Sequence, residues 1–139
     1  MSGYASGTKR ALPRLDSDNR EFWTGGAKGE LRIARCQACG TFIHPPRPAC
    51  RHCLSDRVVP EAVAGTGVID TFTINYQKWR PDQQVPYVIA RVALDGAPGV
   101  YLTTNIVDCP VESVDFGDRV RVKFLQVEDV FLPLFEKIS

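Results

Sequence analysis

Four cysteine side chains lie within eighteen residues of the sequence, in the stretch CQACGTFIHPPRPACRHC at 36–53. They form two C-x-x-C pairs, Cys36 with Cys39 and Cys50 with Cys53, and ten residues separate the pairs. Two residues between thiolates let one tight backbone turn present both sulfurs to one ion, and two such turns supply the four-sulfur tetrahedron that zinc prefers. The spacing therefore predicts a structural metal site with zinc as the expected ion.

Two other roles for these thiols stay open from the residues alone. Four thiolates also bind iron in rubredoxin-type sites, and the spacing does not choose between iron and zinc. Two disulfides would need an oxidising compartment, whereas clustered thiols in a reducing compartment are more often metal ligands. With either metal, four thiolates leave no open coordination position, so the ion is expected to hold the fold rather than to activate water.

Cationic side chains are frequent around the cysteine pairs, at Arg32, Arg35, Arg47, Arg51 and Arg57. The role we favour for them is to offset the negative charge that four thiolates leave on a divalent ion. The alternative is binding of a phosphate or of a partner's carboxylates. His44 and His52 lie in the same segment, and because four cysteines already complete the ligand set, both are predicted to be surface residues.

Apolar alternation predicts the strands that position this cluster and build the remainder of the chain. Leu31 and Ile33 share one face of a strand that enters the first cysteine pair, and Phe42 with Ile43 returns as a second strand. Later alternation predicts five strands, in the stretches GVIDTFTINY, YVIARVALD, VYLTTNIV, RVRVKFLQVE and VFLPLFEKI. A hairpin turn at 94–99 and a longer excursion at 108–118 favour a five-stranded Greek-key barrel of the OB type, with a β-sandwich as the alternative.

The N-terminal part of the chain predicts a tail followed by a short helix. Residues 1–14 contain few apolar groups and are expected to be mobile. The stretch LDSDNREFWTGG predicts a helix that Asp18 caps, with Glu21 completing a capping box and Gly25 ending it. Because Phe22 and Trp23 are adjacent, they cannot both face one narrow apolar seam. They either pack on the main domain or form a docking surface.

These elements predict a mainly β chain in three parts. A mobile tail with a short N-terminal helix occupies residues 1–29, a rubredoxin-like zinc ribbon occupies 30–60, and the five-stranded barrel occupies 61–139. The 44% hydrophobic content is enough for a real core.

The charge and composition disfavour several classes of function. Seventeen Lys and Arg against sixteen Asp and Glu give a net charge of +1, so no strong field attracts a nucleic acid. No apolar stretch approaches the roughly 20 residues that span a bilayer, and we expect a cytoplasmic protein without membrane contact. Both histidines lie within the ribbon, and no nucleophile, zinc-protease or phosphate-loop motif occurs. No catalytic residue is predicted.

One loop of the predicted barrel is rich in rings and cations. It is NYQKWRPDQQVPY, the first barrel loop, and its candidate contact residues are Tyr76, Lys78, Trp79 and Arg80. Rings beside cations suit single-stranded nucleic acid, an adenine nucleotide such as coenzyme A, or a protein interface. Composition does not separate these three ligands.

The sequence also resembles a known family. The stretch from FWTGG through the two C-x-x-C pairs, then GTGVIDTFTINY, PYVIARVALDG and LPLFEKI, is similar to the acyl-CoA-associated zinc-ribbon/OB-fold family, once a domain of unknown function. The resemblance implies an N-terminal helix, a rubredoxin-like ribbon and an OB barrel. It matches the four cysteines to the family's metal ligands.

The same resemblance implies a role beside an enzyme. Many members are accessory subunits of thiolase-like enzymes, including aldolases that cleave the side chain of steroid acyl-CoA thioesters and archaeal acetoacetyl-CoA thiolases. We therefore predict a non-catalytic subunit that completes such an enzyme and shares its acyl-CoA substrate. Phe22, Trp23 and the 76–80 loop are the predicted contacts. The alternative is a free-standing single-stranded nucleic-acid-binding protein.

Overall fold

The computed structural model describes residues 12–79, 81 and 83–138. Most of the predicted mobile tail, at residues 1–11, and the candidate contact Arg80 lie outside the described residues. The described chain is mainly β, with one short α-helix and eight strands in two sheets. None of its helices has the length and apolar content that a membrane crossing needs.

The N-terminal half of the fold is a three-stranded antiparallel sheet preceded by a helix. The elements are α1 (Arg20–Thr24), β1 (Leu31–Cys36), β2 (Phe42–Ile43) and β3 (Val58–Val63). The sheet order is β2-β1-β3, so the strand that enters the first cysteine pair lies in the centre. The predicted strand at Leu31 and Ile33 and the returning strand at Phe42 and Ile43 are confirmed.

The predicted capping of the helix is wrong. Asn19 precedes the first turn of α1, and no side chain caps that turn. The carboxylate of Asp16 instead accepts hydrogen bonds from the backbone N–H groups of Asp18 and Asn19, both at 2.9 Å. Glu21 does not complete a capping box, because its carboxylate lies 2.9 Å from Nε of Arg32 on β1. An aspartate two residues earlier thus organises the turn, and the glutamate ties the helix to the sheet.

The C-terminal half of the fold is a closed five-stranded barrel. Its strands are β4 (Thr66–Asn75), β5 (Tyr87–Leu94), β6 (Tyr101–Val107), β7 (Arg119–Val127) and β8 (Val130–Lys137). The order around the barrel is β4-β5-β6-β8-β7, which confirms the OB prediction over the sandwich alternative. The long excursion before β7 contains a short 3-10 turn.

The closure between β6 and β8 is short. The two strands pair in parallel only at Ile106 with Phe135 and at Val107 with Glu136. Two residues earlier on each strand, the hydroxyl of Thr104 donates a hydrogen bond to the carbonyl oxygen of Pro133 at 2.7 Å. Proline has no N–H to extend the ladder. The backbone ladder between β6 and β8 therefore stops short at this junction, which we call the barrel seam.

Two apolar clusters hold the fold. The larger one fills the barrel and also includes Phe22, Leu31, Ile33 and Phe42 from the helix and the sheet. The smaller one consists of Ala34, Cys36, Ile43 and Cys50, with Val58 packed beside it. The three-stranded sheet thus buries one set of side chains against the barrel core, while its own interior contains two of the four clustered cysteines.

Candidate metal centre and adjoining groove

The four clustered thiols converge on one point. Their sulfur atoms all lie within 4.8 Å of one another, with Cys36 Sγ to Cys53 Sγ at 3.6 Å and Cys39 Sγ to Cys50 Sγ at 3.7 Å. A zinc ion bonded to four sulfurs at about 2.3 Å requires sulfur–sulfur distances of about 3.8 Å. A disulfide requires about 2.05 Å, and all the chain's cysteines are free. The donor set fits a four-coordinate metal ion.

The backbone explains why the spacing of two residues works. In the first turn the N–H of Gly40 donates to the carbonyl of Cys36 at 2.9 Å, and in the second the N–H of Leu54 donates to that of Cys50 at 2.8 Å. The residue after each pair has a positive φ, +81° at Gly40 and +67° at Leu54. The two turns are therefore copies of one knuckle, and each presents one buried and one exposed thiol.

Without a cation the four thiols perturb one another's protonation. The hydroxyl of Thr41, 3.1 Å from Cys39 Sγ, and its backbone N–H lower the pKa of Cys39 to about 6. The backbone N–H of Ser55 lowers the pKa of Cys53, but Cys36, burial and the other sulfurs outweigh it and raise that pKa to about 12. A metal ion bound by all four thiolates must displace the remaining protons, so metal affinity falls as the pH falls.

The arginines near the cluster divide into two groups. Arg35 donates to the carbonyl of Gly40 at 3.0 Å, pairs with Glu61 at 3.3 Å and lies 4.6 Å from the ring centre of Phe42. Arg32 pairs with Glu30 at 2.8 Å. These two arginines stabilise the sheet. The exposed group forms no ion pair within the described part of the chain, and it comprises Arg47, Arg51 and Arg57.

A groove of about 630 Å³ lies where the barrel seam meets the ribbon. The segment before α1, the helix itself, the loop at 44–48 and the middle of β6 and β8 form its walls. Its lining combines rings, prolines and hydroxyl or amide groups, including Trp23, His44, Pro46, Thr103 and Asn105. Two cations and two anions also line it, Arg14, Arg47, Asp16 and Asp18. The volume is typical of small-molecule and cofactor sites.

The sequence prediction for His44 is wrong. This histidine is half-buried rather than a surface residue, and its ring lies 4.9 Å from that of Phe22. Burial lowers the pKa of His44, so its imidazole is neutral at pH 7. Its Nδ1 atom is buried with no hydrogen-bond partner among the described residues. Composition missed this because the contact comes from α1, twenty residues away, whereas the prolines that follow His44 signal only a stiff loop. His52 is exposed, as predicted.

The two adjacent rings of the helix occupy different environments. Phe22 is buried, with 6% of its surface exposed, and belongs to the barrel core. Trp23 is half-buried, meets Phe22 edge to face at 4.8 Å and lines the groove. Phe22 thus anchors the helix, and both rings line the groove, with Trp23 the more exposed of the two. Whether either ring meets a partner stays a prediction.

The aromatic loop of the barrel lies apart from the groove. Tyr76 is 68% exposed and Trp79 is 72% exposed, and Lys78 is also exposed. The backbone N–H of Trp79 donates to the side-chain oxygen of Gln83 at 2.8 Å, and the Gln83 amide donates to the Tyr87 hydroxyl at 3.1 Å. These bonds fold the loop back on β5 with two rings in solvent. The ligand of this loop stays a prediction.

Two family descriptions match consecutive parts of the chain. "ChsH2, rubredoxin-like zinc ribbon domain" matches residues 23–59, and "ChsH2, C-terminal OB-fold domain" matches residues 60–125. A chain of the solved "Ltp2-ChsH2(DUF35) aldolase" superposes with a TM-score of 0.78 at 34% identity, over 91% of this chain and 98% of that one. The chain belongs to the ChsH2 (DUF35) family. The family resemblance in the sequence is confirmed.

Curated ChsH2-family relatives have names of two kinds. A "Probable enoyl-CoA hydratase alpha subunit" of Thermomonospora curvata is 35% identical over 91% of this chain, and a "3-oxo-4,17-pregnadiene-20-carboxyl-CoA hydratase alpha subunit" of Mycobacterium tuberculosis is 32% identical over 89%. This chain spans 39% of the length of each. A "DUF35 domain-containing scaffold protein" of Methanothermobacter thermautotrophicus is 32% identical over 71% of this chain and 74% of that protein.

Proposed function

We propose that this chain is a non-catalytic accessory subunit that binds and completes a thiolase-like enzyme acting on acyl-CoA thioesters. The observation that carries the proposal is the structural match over 98% of a subunit of the Ltp2-ChsH2(DUF35) aldolase. The names of two relatives as hydratase subunits and of a third as a scaffold protein support the same role. The reaction we favour for the partner is a retro-aldol cleavage in steroid side-chain degradation, in the cytoplasm.

The proposed metal is a structural zinc ion on Cys36, Cys39, Cys50 and Cys53, with iron as the alternative. Four thiolates at tetrahedral distances support a closed site. Such an ion would supply rigidity and no Lewis-acid chemistry, because the ligand set leaves no position for a substrate. Its role in the complex is to hold the loop at 44–48 against the seam of the barrel.

The groove is the proposed place where the chain helps to frame an acyl-CoA channel. Its rings and prolines suit the uncharged part of a thioester. Arg14 and Arg47 form no ion pair among the described residues and provide two cations, beside the carboxylates of Asp16 and Asp18. The neutral His44 has an unused ring nitrogen on the buried side. The partner enzyme then supplies every group that breaks or forms a bond. The proposed partner contacts are Phe22, Trp23 and the 76–80 loop.

The alternative, a free-standing single-stranded nucleic-acid binder, receives less support from the sheet. On the outer face of the barrel, Arg91 lies 3.8 Å from the ring centre of Tyr101 and pairs with Asp70 at 3.5 Å. Arg91 could bind a phosphate and Tyr101 could stack on a base, but these two side chains already contact each other. Binding to oligonucleotides at low salt would revive this alternative.

Co-purification from the native host tests the proposed function. The tagged chain is expected to recover a thiolase-fold protein, identified by peptide mass, in a stoichiometric complex that survives gel filtration. A double variant, Tyr76→Ala with Trp79→Ala, should weaken that complex about tenfold or more, since exposed rings are frequent interface anchors. Phe116→Ala removes a ring that is 63% exposed outside this loop and serves as the control. A wild-type chain that stays alone in the lysate and on the column would contradict the proposal.

A further inference from the structure

The two knuckles of the ribbon differ at the residue that follows each cysteine pair, and the stability of the isolated chain does not explain the difference. Gly40 and Leu54 occupy equivalent places, with the same hydrogen bond to the first cysteine of the pair and the same left-handed backbone. Glycine adopts this conformation without steric cost, whereas a leucine is strained there. The second knuckle therefore accepts backbone strain that the first avoids.

The strained leucine is also the most exposed large apolar side chain of the described residues. Leu54 is 81% exposed, compared with 48% for Val59 on the neighbouring strand. A side chain that is both strained and solvated contributes little to the stability of the isolated chain. Its presence calls for a contact outside the chain.

The surroundings of Leu54 indicate the character of that contact. Arg51 and Arg57 stand three residues before and after it, both exposed and without an ion pair among the described residues, and the exposed Asp56 lies between Leu54 and Arg57. Guanidinium groups recognise carboxylates through two parallel hydrogen bonds. An apolar anchor between two arginines matches a pocket that is apolar inside and acidic at its rim. A metal ion on the adjacent Cys50 and Cys53 would fix the anchor before binding, which lowers the entropy cost of association.

We infer that the second knuckle, residues 50–57, is a docking point in which Leu54 enters an apolar pocket with an acidic rim on the partner protein. This inference rests on the proposed function, since it names the surface through which the ribbon meets the enzyme. It adds a contact that is separate from the groove and from the aromatic loop of the barrel.

The decisive experiment compares stability and binding in one set of variants of the metal-loaded full chain. Leu54→Gly relieves the backbone strain, so the metal-release rate and the melting midpoint should stay the same or improve. Its affinity for the co-purified thiolase-fold protein, measured by interferometry, should fall about tenfold or more as for a central anchor. Leu54→Met keeps an apolar side chain and should restore most of the affinity, whereas Val59→Thr, on the adjacent strand, should change it by less than about twofold. If Leu54 had only a structural role, its replacement by glycine would not lower the affinity for the partner while the stability of the chain stayed the same or rose.

Charge reversal tests the acidic rim. Arg51→Glu combined with Arg57→Glu should slow association several-fold at low salt, and the difference should shrink as salt screens the pair of surfaces. If the association rate of the wild-type chain with the partner did not depend on salt, the proposal of an acidic rim would be wrong.

Each remaining outcome is also decisive. A complex that Leu54→Gly leaves intact overturns the inference alone, whereas a wild-type chain that binds no thiolase-fold protein overturns the proposed function and the inference with it. A wild-type homodimer in light scattering that Leu54→Gly abolishes would assign the knuckle to a second copy of the chain and would overturn the partner assignment.

Discussion

The ribbon and the barrel of this chain reach order by different physical means. The ribbon's own interior has four buried residues, and two of them are the cysteines Cys36 and Cys50. The barrel encloses a much larger apolar cluster, in which Val92, Val120 and Phe135 have no exposed surface. Burial of an apolar side chain contributes about 1.5–3 kcal/mol, so the barrel accumulates stability that the ribbon interior does not. We therefore expect the ribbon to depend on a metal ion for its order, and the barrel to fold without one.

The comparison also shows how the two parts are joined. One set of ribbon side chains, Leu31, Ile33 and Phe42, belongs to the same cluster as the barrel core, together with Phe22 of the helix. The loop at 44–48, between the two cysteine pairs, lines the same groove as β6 and β8. A metal ion that orders the ribbon would therefore also shape the groove, although none of its four candidate ligands lines it.

Removal of one cysteine of the thiol cluster should have the largest effect, because it should disorder the ribbon and leave the barrel folded. Cys50→Ser is expected to abolish stoichiometric metal binding and the slow amide exchange of β1 and β2, because structural zinc contributes about 10–16 kcal/mol in small zinc-folded peptides. Amides of the barrel should keep most of their protection. Metal analysis and hydrogen exchange measure both quantities, and Cys109→Ser, which changes a cysteine outside the cluster, is the matched control.

A substitution in the barrel core tests whether the barrel can be destabilised without loss of metal from the ribbon. Phe135→Ala leaves a cavity in the barrel and should lower its free energy of unfolding by about 3–5 kcal/mol. Metal content near one per chain should persist under native conditions. Loss of metal in this variant, or loss of barrel protection in Cys50→Ser, would show that the two parts fold as one inseparable unit.

A smaller effect is expected from the pH dependence of the barrel. Arg119, whose guanidinium lies 2.6 Å from the carboxylate, and the hydroxyl of Thr66 lower the pKa of Asp95 in the folded chain. A depressed carboxyl pKa contributes stability above the unfolded-state value, and that contribution is lost as the pH falls through the folded-state value. Asp95→Asn should therefore lower the melting midpoint slightly at pH 7 and leave it unchanged near pH 2. An equal decrease at both pH values would assign the effect to packing.

The parts of the fold that the sequence predicts are those with short-range causes. Strand alternation and the spacing of Cys36, Cys39, Cys50 and Cys53 operate over a few residues, and they correctly predicted the thiol cluster and every strand except β3, which the sequence analysis did not predict. The burial of His44 and the role of Asp16 depend on how distant or competing groups meet, and no local pattern reports that. The groove could not be predicted either, since it exists only where segments that are distant in the sequence converge. The division into parts at residues 29 and 60 stays a prediction.

Acyl-CoA turnover by the separated and recombined components tests the central claim most directly. The claim is that this chain shapes and completes an enzyme whose catalytic groups lie on another protein. The metal-loaded chain alone should show no cleavage of a steroid acyl-CoA thioester, and the thiolase-fold partner should become active only when the chain is added. Cleavage by the purified chain without the partner, or full activity of the partner without the chain, would contradict the claim.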